Sequence, residues 1–85
     1  MAPAEARHLA KRSLSLAGHR TSIALEPAFW AALDRAAADR GVTLSALVAR
    51  LDAERAPGIP LASALRVFAL GRAQAWRQDA HGDRA

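Results

Sequence analysis

Five serines (Ser13, Ser15, Ser22, Ser45 and Ser63) and three histidines (His8, His19 and His81) are the side chains whose types could carry covalent, acid–base or metal chemistry. Nucleophilic catalysis needs a serine beside a base that a third group orients. Here the serines fall on strand-like or helix-start positions, and no histidine–carboxylate set accompanies them at a recognisable spacing. The histidines lie far apart in terminal or turn-like stretches and read as solvent-exposed. Cysteine is absent, which excludes a disulfide framework and a thiolate zinc site. No cofactor is expected, and nothing in this pattern points to an enzyme.

Ionic chemistry remains. The chain carries 12 Lys and Arg against 8 Asp and Glu, a net charge of +4, and the excess is uneven. Between Glu5 and Glu26 there is no acid, while Lys11, Arg12 and Arg20 fall in that interval. Residues 57–78 hold Arg66, Arg72 and Arg77, again without an acid, and residues 27–56 balance. A basic stretch free of acids suits phosphate or an acidic partner. A solvated surface accounts equally well for so small an excess.

With 85 residues the chain is one small domain at most. No apolar run approaches the ~18–20 residues of a membrane span. Met1 to Arg12 lacks the apolar segment of a secretory signal, so a soluble cytoplasmic protein is expected. Apolar residues make up 52%, but 23 of them are alanine and only 21 are larger. A core built from so few large side chains is marginal, and oligomerisation is the ordinary remedy when disulfides and metals are absent.

The elements that must hold the charges follow from periodicity. Residues 1–10 read as a disordered lead-in and residues 79–85 as a polar tail, around one domain over 11–78. Alternation predicts strand segments over 12–16 and 20–25, joined by the turn-like Ala17-Gly18-His19. In the second, Ile23 and Leu25 share one face, and Arg20, Ser22 and Ala24 share the other. Pro27 opens a helix over 27–40 that Gly41 ends. Thr43 caps a helix over 44–55 whose Leu44, Leu47, Val48 and Leu51 form an apolar stripe. Ala56-Pro57-Gly58-Ile59-Pro60 breaks the chain, and a third helix is predicted over 61–77, weakened by about 1 kcal/mol at Gly71. The strand over 20–25 has no obvious partner in its own chain, and pairing it across a two-fold axis satisfies its backbone.

The stretch Arg20-Thr21-Ser22-Ile23-Ala24-Leu25-Glu26-Pro27, the helix to Gly41, and Gly41-Val42-Thr43-Leu44-Ser45-Ala46-Leu47-Val48 resemble the ribbon-helix-helix family of DNA-binding proteins. The likeness covers residues 20–55. Lys11-Arg12-Ser13, Gly18-His19-Arg20-Thr21-Ser22 and Leu65-Arg66-Val67-Phe68 resemble a bacterial branch with an extra N-terminal segment and an extra C-terminal helix. The resemblance implies a mainly α fold with a short β ribbon, an intertwined homodimer with an added third helix. Such proteins lay an intersubunit two-stranded ribbon in the DNA major groove and anchor phosphates at the N-terminus of the second helix. Carried over by position, Arg20, Ser22 and Ala24 contact bases. Thr43, Leu44 and Ser45 contact phosphates, with Lys11 and Arg12 reaching phosphate from the preceding segment. Ile23, Leu25, Trp30, Leu33, Leu47, Val48 and Leu51 form the dimer core.

The function so implied is double-stranded DNA binding by a small transcriptional regulator or antitoxin-like autoregulator. A second reading is a protein-interaction module, antitoxin-like or adaptor, that binds a protein partner with the basic strand segment or the apolar third helix. A helix-turn-helix also fits helix, Gly41 turn and helix, but Asp52 and Glu54 offset Arg50 and Arg55 on its second helix. Residues 11–16 either fold back on 20–25 as a hairpin or form a mobile arm. In a dimer of hairpins, four strands about 4.8 Å apart span roughly 15 Å, too wide for a ~12 Å groove.

Overall fold

A computed structural model describes residues 8–82. Most of the expected lead-in (1–7) and the end of the expected tail (83–85) lie outside them. The element order is β1 (Ala10–Leu16), β2 (His19–Leu25), α1 (Pro27–Arg40), α2 (Leu44–Glu54) and α3 (Leu61–Gly82). Among the described residues, no helix is long and apolar enough to cross a membrane.

The two strands form an antiparallel hairpin in which Ser13 faces Ser22 and Ser15 faces Arg20. The hairpin gives β2 a partner within its own chain, which corrects the expectation of an unpaired strand. Its two-residue turn has Ala17 at φ 51° and Gly18 at φ 85°. Two successive positive φ values match the right-handed twist of the flanking strands. Gly18 adopts this geometry freely, whereas a left-handed alanine is strained by roughly 1–2 kcal/mol. Ala17→Asn is therefore expected to raise stability by about 0.5–1 kcal/mol, because asparagine tolerates this conformation. A urea unfolding series checks this, and an unchanged or lower midpoint would contradict the turn geometry.

Alternation places Leu14 and Leu16 of β1 on the same buried face as Ile23 and Leu25 of β2. This face meets Trp30, Leu33, Ala36 and Ala37 of α1, Leu47 and Val48 of α2, and Leu65 and Ala69 of α3. Ile23, Leu25, Trp30, Leu33, Leu47 and Val48, expected in a dimer core, are thus buried within one chain, while Leu51 is partly buried. Leu14 and Leu16 from β1, with Leu65 and Ala69 from α3, provide the cover assigned to a partner.

Local chemistry sets the helix ends. Pro27 occupies the first turn of α1, and Gly41 ends it in the left-handed region at φ 68°. The amides of Gly41 and Val42 donate to the carbonyls of Ala38 and Ala37 at 3.1 and 3.0 Å. Thr43 Oγ1 accepts from the Ala46 amide at 3.0 Å and so caps α2. The third helix does not stop at residue 77 but runs to Gly82, so residues 79–82 belong to it rather than to the tail. Gly71 does not break it, because α3 is held from outside itself. Leu65 and Ala69 are buried against the core. Further along, the Arg35 guanidinium of α1 stacks over the Trp76 ring at 4.0 Å.

Two ionic ties fasten the hairpin ends to the helices. Arg12 donates to both carboxylate oxygens of Asp34, at 3.0 and 3.2 Å, and lies 4.7 Å over the Trp30 ring. Trp30 Nε1 donates to the Ala10 carbonyl at 2.7 Å. At the same open end of the hairpin, just past β2, Arg66 Nε donates to Glu26 Oε1 at 2.9 Å. The Arg66 hydrogen bond, helped by the Glu26 backbone, holds the Glu26 carboxyl below its ordinary value of 4.5. A depressed carboxyl pKa favours the folded state above the unfolded pKa, and that contribution fades as pH falls through the folded value. Glu26→Gln should therefore be less stable than wild type at pH 7 and converge with it as pH falls below 4.5, flattening the acid loss of stability. Thermal melts from pH 3 to 7 would refute this if both proteins fell in parallel.

Candidate nucleic-acid interface

The hairpin has a second face, turned away from the core. It carries Lys11, Ser13 and Ser15 from β1 and Arg20, Ser22 and Ala24 from β2, all exposed except the half-buried Ala24. Cross-strand register makes them one surface. Lys11 sits opposite Ala24, Ser13 opposite Ser22, and Ser15 opposite Arg20. Arg20 Nη1 donates to Ser15 Oγ at 3.2 Å, which directs the guanidinium along the face and leaves its other donors open. Ser13 and Ser15 join this surface only because the hairpin forms. Their signal was the Ser-Leu-Ser-Leu alternation before Ala17-Gly18.

Sequence neighbours part company here. Lys11 points outward, while Arg12 lies on the core side and is held by Asp34. Thr43, Leu44 and Ser45 sit on a different element, at the start of α2. There the Thr43 hydroxyl already engages the Ala46 amide. The amides of Leu44 and Ser45 precede the hydrogen-bonded turns of α2 and point out of its N-terminus. Beside them a cavity of about 560 Å³ is lined by Arg40, Val42, Ala46, Leu47 and Arg50.

Five acids lie elsewhere and are paired. Asp34, Asp39, Asp52, Glu54 and Glu26 each have an arginine within 4.0 Å, whereas Lys11 and Arg20 form no ion pair among the described residues. On α2, Arg50 faces Glu54 at 3.3 Å and Arg55 faces Asp52 at 3.0 Å. Its exposed side is therefore internally neutralised, unlike the hairpin face. Among the histidines, His8 and His19 are exposed.

A family model for the ribbon-helix-helix domain matches residues 9–73. The chain belongs to the ribbon-helix-helix family. Members of this family are, in general, DNA-binding regulators that dimerise. No match is found among curated proteins. Among solved structures, this ribbon-helix-helix chain is similar to an uncharacterized protein from Bordetella pertussis Tohama I, at 30% identity and a TM-score of 0.67. The likeness covers 93% of this chain, which spans 66% of that protein's length. Within the ribbon-helix-helix match, both strands of the ribbon come from a single chain.

Proposed function

We propose that the protein is a transcriptional regulator that binds duplex DNA through the outward face of its own hairpin. The observation that carries this reading is the composition of that face: two cations outside any ion pair among the described residues, three hydroxyls, one methyl and no acid. A groove about 12 Å wide admits a two-stranded ribbon, and one hairpin with strands about 4.8 Å apart has that width. Two hairpins joined edge to edge do not. The ribbon that enters the groove is then intrachain rather than intersubunit, and a two-fold pair of chains presents two of them.

Each residue takes a role suited to its chemistry. Arg20 suits guanine O6 and N7, Ser22 can donate or accept, and Ala24 can touch a thymine methyl. Ser13 and Ser15 add hydroxyls beside them, and Lys11 reaches a phosphate from the ribbon's edge. The amides of Leu44 and Ser45, behind the Thr43 cap, offer a phosphate site at the positive end of α2. Arg12 is left out of the contacts, since Asp34 and Trp30 hold it on the core side.

The test is a fluorescence-anisotropy titration of a labelled random-sequence duplex across 50–200 mM salt. Phosphate neutralisation gives log K falling linearly with log salt, at about −0.9 per contact. A finite negative slope supports the reading. Absence of binding at the lowest salt overturns it.

A further inference from the structure

We infer that the outer face of α3 is a self-association surface, on which a second copy of this chain packs antiparallel across a two-fold axis. This goes beyond the DNA-contacting role and does not depend on it.

The face lies opposite the one that buries Leu65 and Ala69. An ordinary surface helix carries charge there. Instead the exposed positions run Ser63, Val67, Leu70, Gln74 and Arg77, uncharged until the last and spaced by four, three, four and three. That is the 3.5-residue repeat of a coiled-coil seam, here with an apolar centre and polar ends. Val67 and Leu70 are 72% and 55% exposed, the two largest values among the exposed large apolar residues. Gly71 lies beside the seam, and a Cβ built there meets nothing within 4 Å. Its own chain therefore gives no packing reason for a glycine in the middle of a 22-residue helix.

A second copy fits because the pattern complements itself. In an antiparallel pair centred between Phe68 and Ala69, Val67 meets the partner's Leu70 in two central layers. On either side Ser63 meets the partner's Gln74, a hydroxyl against an amide that can exchange hydrogen bonds. These polar layers fix the register. A slip of one heptad would set Leu70 against the partner's Gln74 and Val67 against the partner's Arg77. Along one edge Ala64 meets the partner's Gly71, so the two backbones can approach closely. Along the other, Arg66 meets the partner's Ala73, and no like charges face each other. A parallel pair would set Arg77 against the partner's Arg77 and align the two helix dipoles unfavourably. The helix is about 33 Å long, ample for four seam layers. With two apolar layers, one helix pair falls at or below the low end of stable interfaces, near 1,200 Å², so association should be concentration-dependent.

Sedimentation equilibrium of the full chain at 5–500 µM tests this, with thermal melts run in parallel. The comparison is between wild type, Leu70→Glu, Val67→Gln and Gly71→Gln. Leu70→Glu should lose one two-fold association step, dimer to monomer or tetramer to dimer, with a melting curve like that of the wild type at low concentration. Val67→Gln, at the more exposed of the two apolar positions, should weaken association by at least about tenfold, and it serves should Leu70→Glu fail to fold. Gly71→Gln is the sharpest variant. It should melt higher, because glutamine favours the helix over glycine, yet associate less, because the close approach is lost. A wild type monomeric at every concentration would overturn the proposal, as would variants whose mass matches the wild type throughout. Loss of DNA binding leaves these masses unaffected, so the two readings fail separately.

Discussion

Trp30→Ala is expected to remove about 3–5 kcal/mol of stability, the range for deleting a large buried aromatic. That is most of what a small single core supplies. Trp30 is 1% exposed and has three separate jobs. Its ring fills the space between the hairpin and α1, its Nε1 donates to the Ala10 carbonyl at 2.7 Å, and its face carries the Arg12 guanidinium. Truncation leaves a cavity, frees a backbone acceptor at the start of β1, and removes the platform of the Arg12–Asp34 pair. Circular dichroism should show little folded protein at 25 °C in mild urea. Trp76→Ala is the control. Trp76 is only partly buried at the edge of the core, its Nε1 has no hydrogen-bond partner, and the Arg35 and Arg72 guanidiniums lie over its ring. Its loss should cost clearly less. Equal midpoints for the two variants would show that the hairpin is not anchored through Trp30.

Trp30 also shows how far the sequence could be read. Its place on the apolar face of α1 followed from periodicity, but its polar partner did not, because Ala10 fell in a stretch without any period. The two faces of β2 were legible, since a period of two separates Ile23 and Leu25 from Arg20 and Ser22. The ends of α1 were legible too, because Pro27 and Gly41 act through their own backbones. Whether residues 11–16 form a hairpin or an arm could not be decided locally. Asn-Gly would have announced the turn, whereas Ala17-Gly18 is strained at its first position and depends on Leu14 and Leu16 being buried. The separation of Lys11 from Arg12 followed only once the register was known.

Alanine is part of this core and not a gap in it. Counting 23 alanines as missing core suggested that one chain cannot close on itself. Yet Ala36, Ala37 and Ala69 are buried among the larger residues of α1, α2 and α3. Small side chains let helices approach closely, so the remaining large residues cover one another. The extent of α3 was hidden for a related reason. Gly71 is a local cost, and the compensating Arg35–Trp76 contact joins residues 41 positions apart. Propensity sees the first and not the second.

The double variant Lys11→Gln/Arg20→Ala should bind duplex DNA far more weakly while keeping its fold. Both side chains are exposed, and the hydrogen bond lost with them is that from Arg20 to Ser15. A bidentate arginine–guanine contact is worth about 1–3 kcal/mol, roughly 5- to 150-fold in affinity. Removing a lysine–phosphate contact reduces the salt slope by about 0.9 per chain. Arg12→Ala separates this account from a general charge effect, since it removes one positive charge from the residue next to Lys11. Its guanidinium serves Asp34 and Trp30, so it should lower stability by up to about 1 kcal/mol and leave both affinity and slope near wild type. Were Arg12→Ala to weaken binding as much as Lys11→Gln, net charge rather than the outward hairpin face would be what DNA recognises. Were the double variant to bind like the wild type, the hairpin would not be the reader. The first result is expected to divide cleanly along the two faces of β1, because Lys11 and Arg12 are adjacent in sequence and opposite in space.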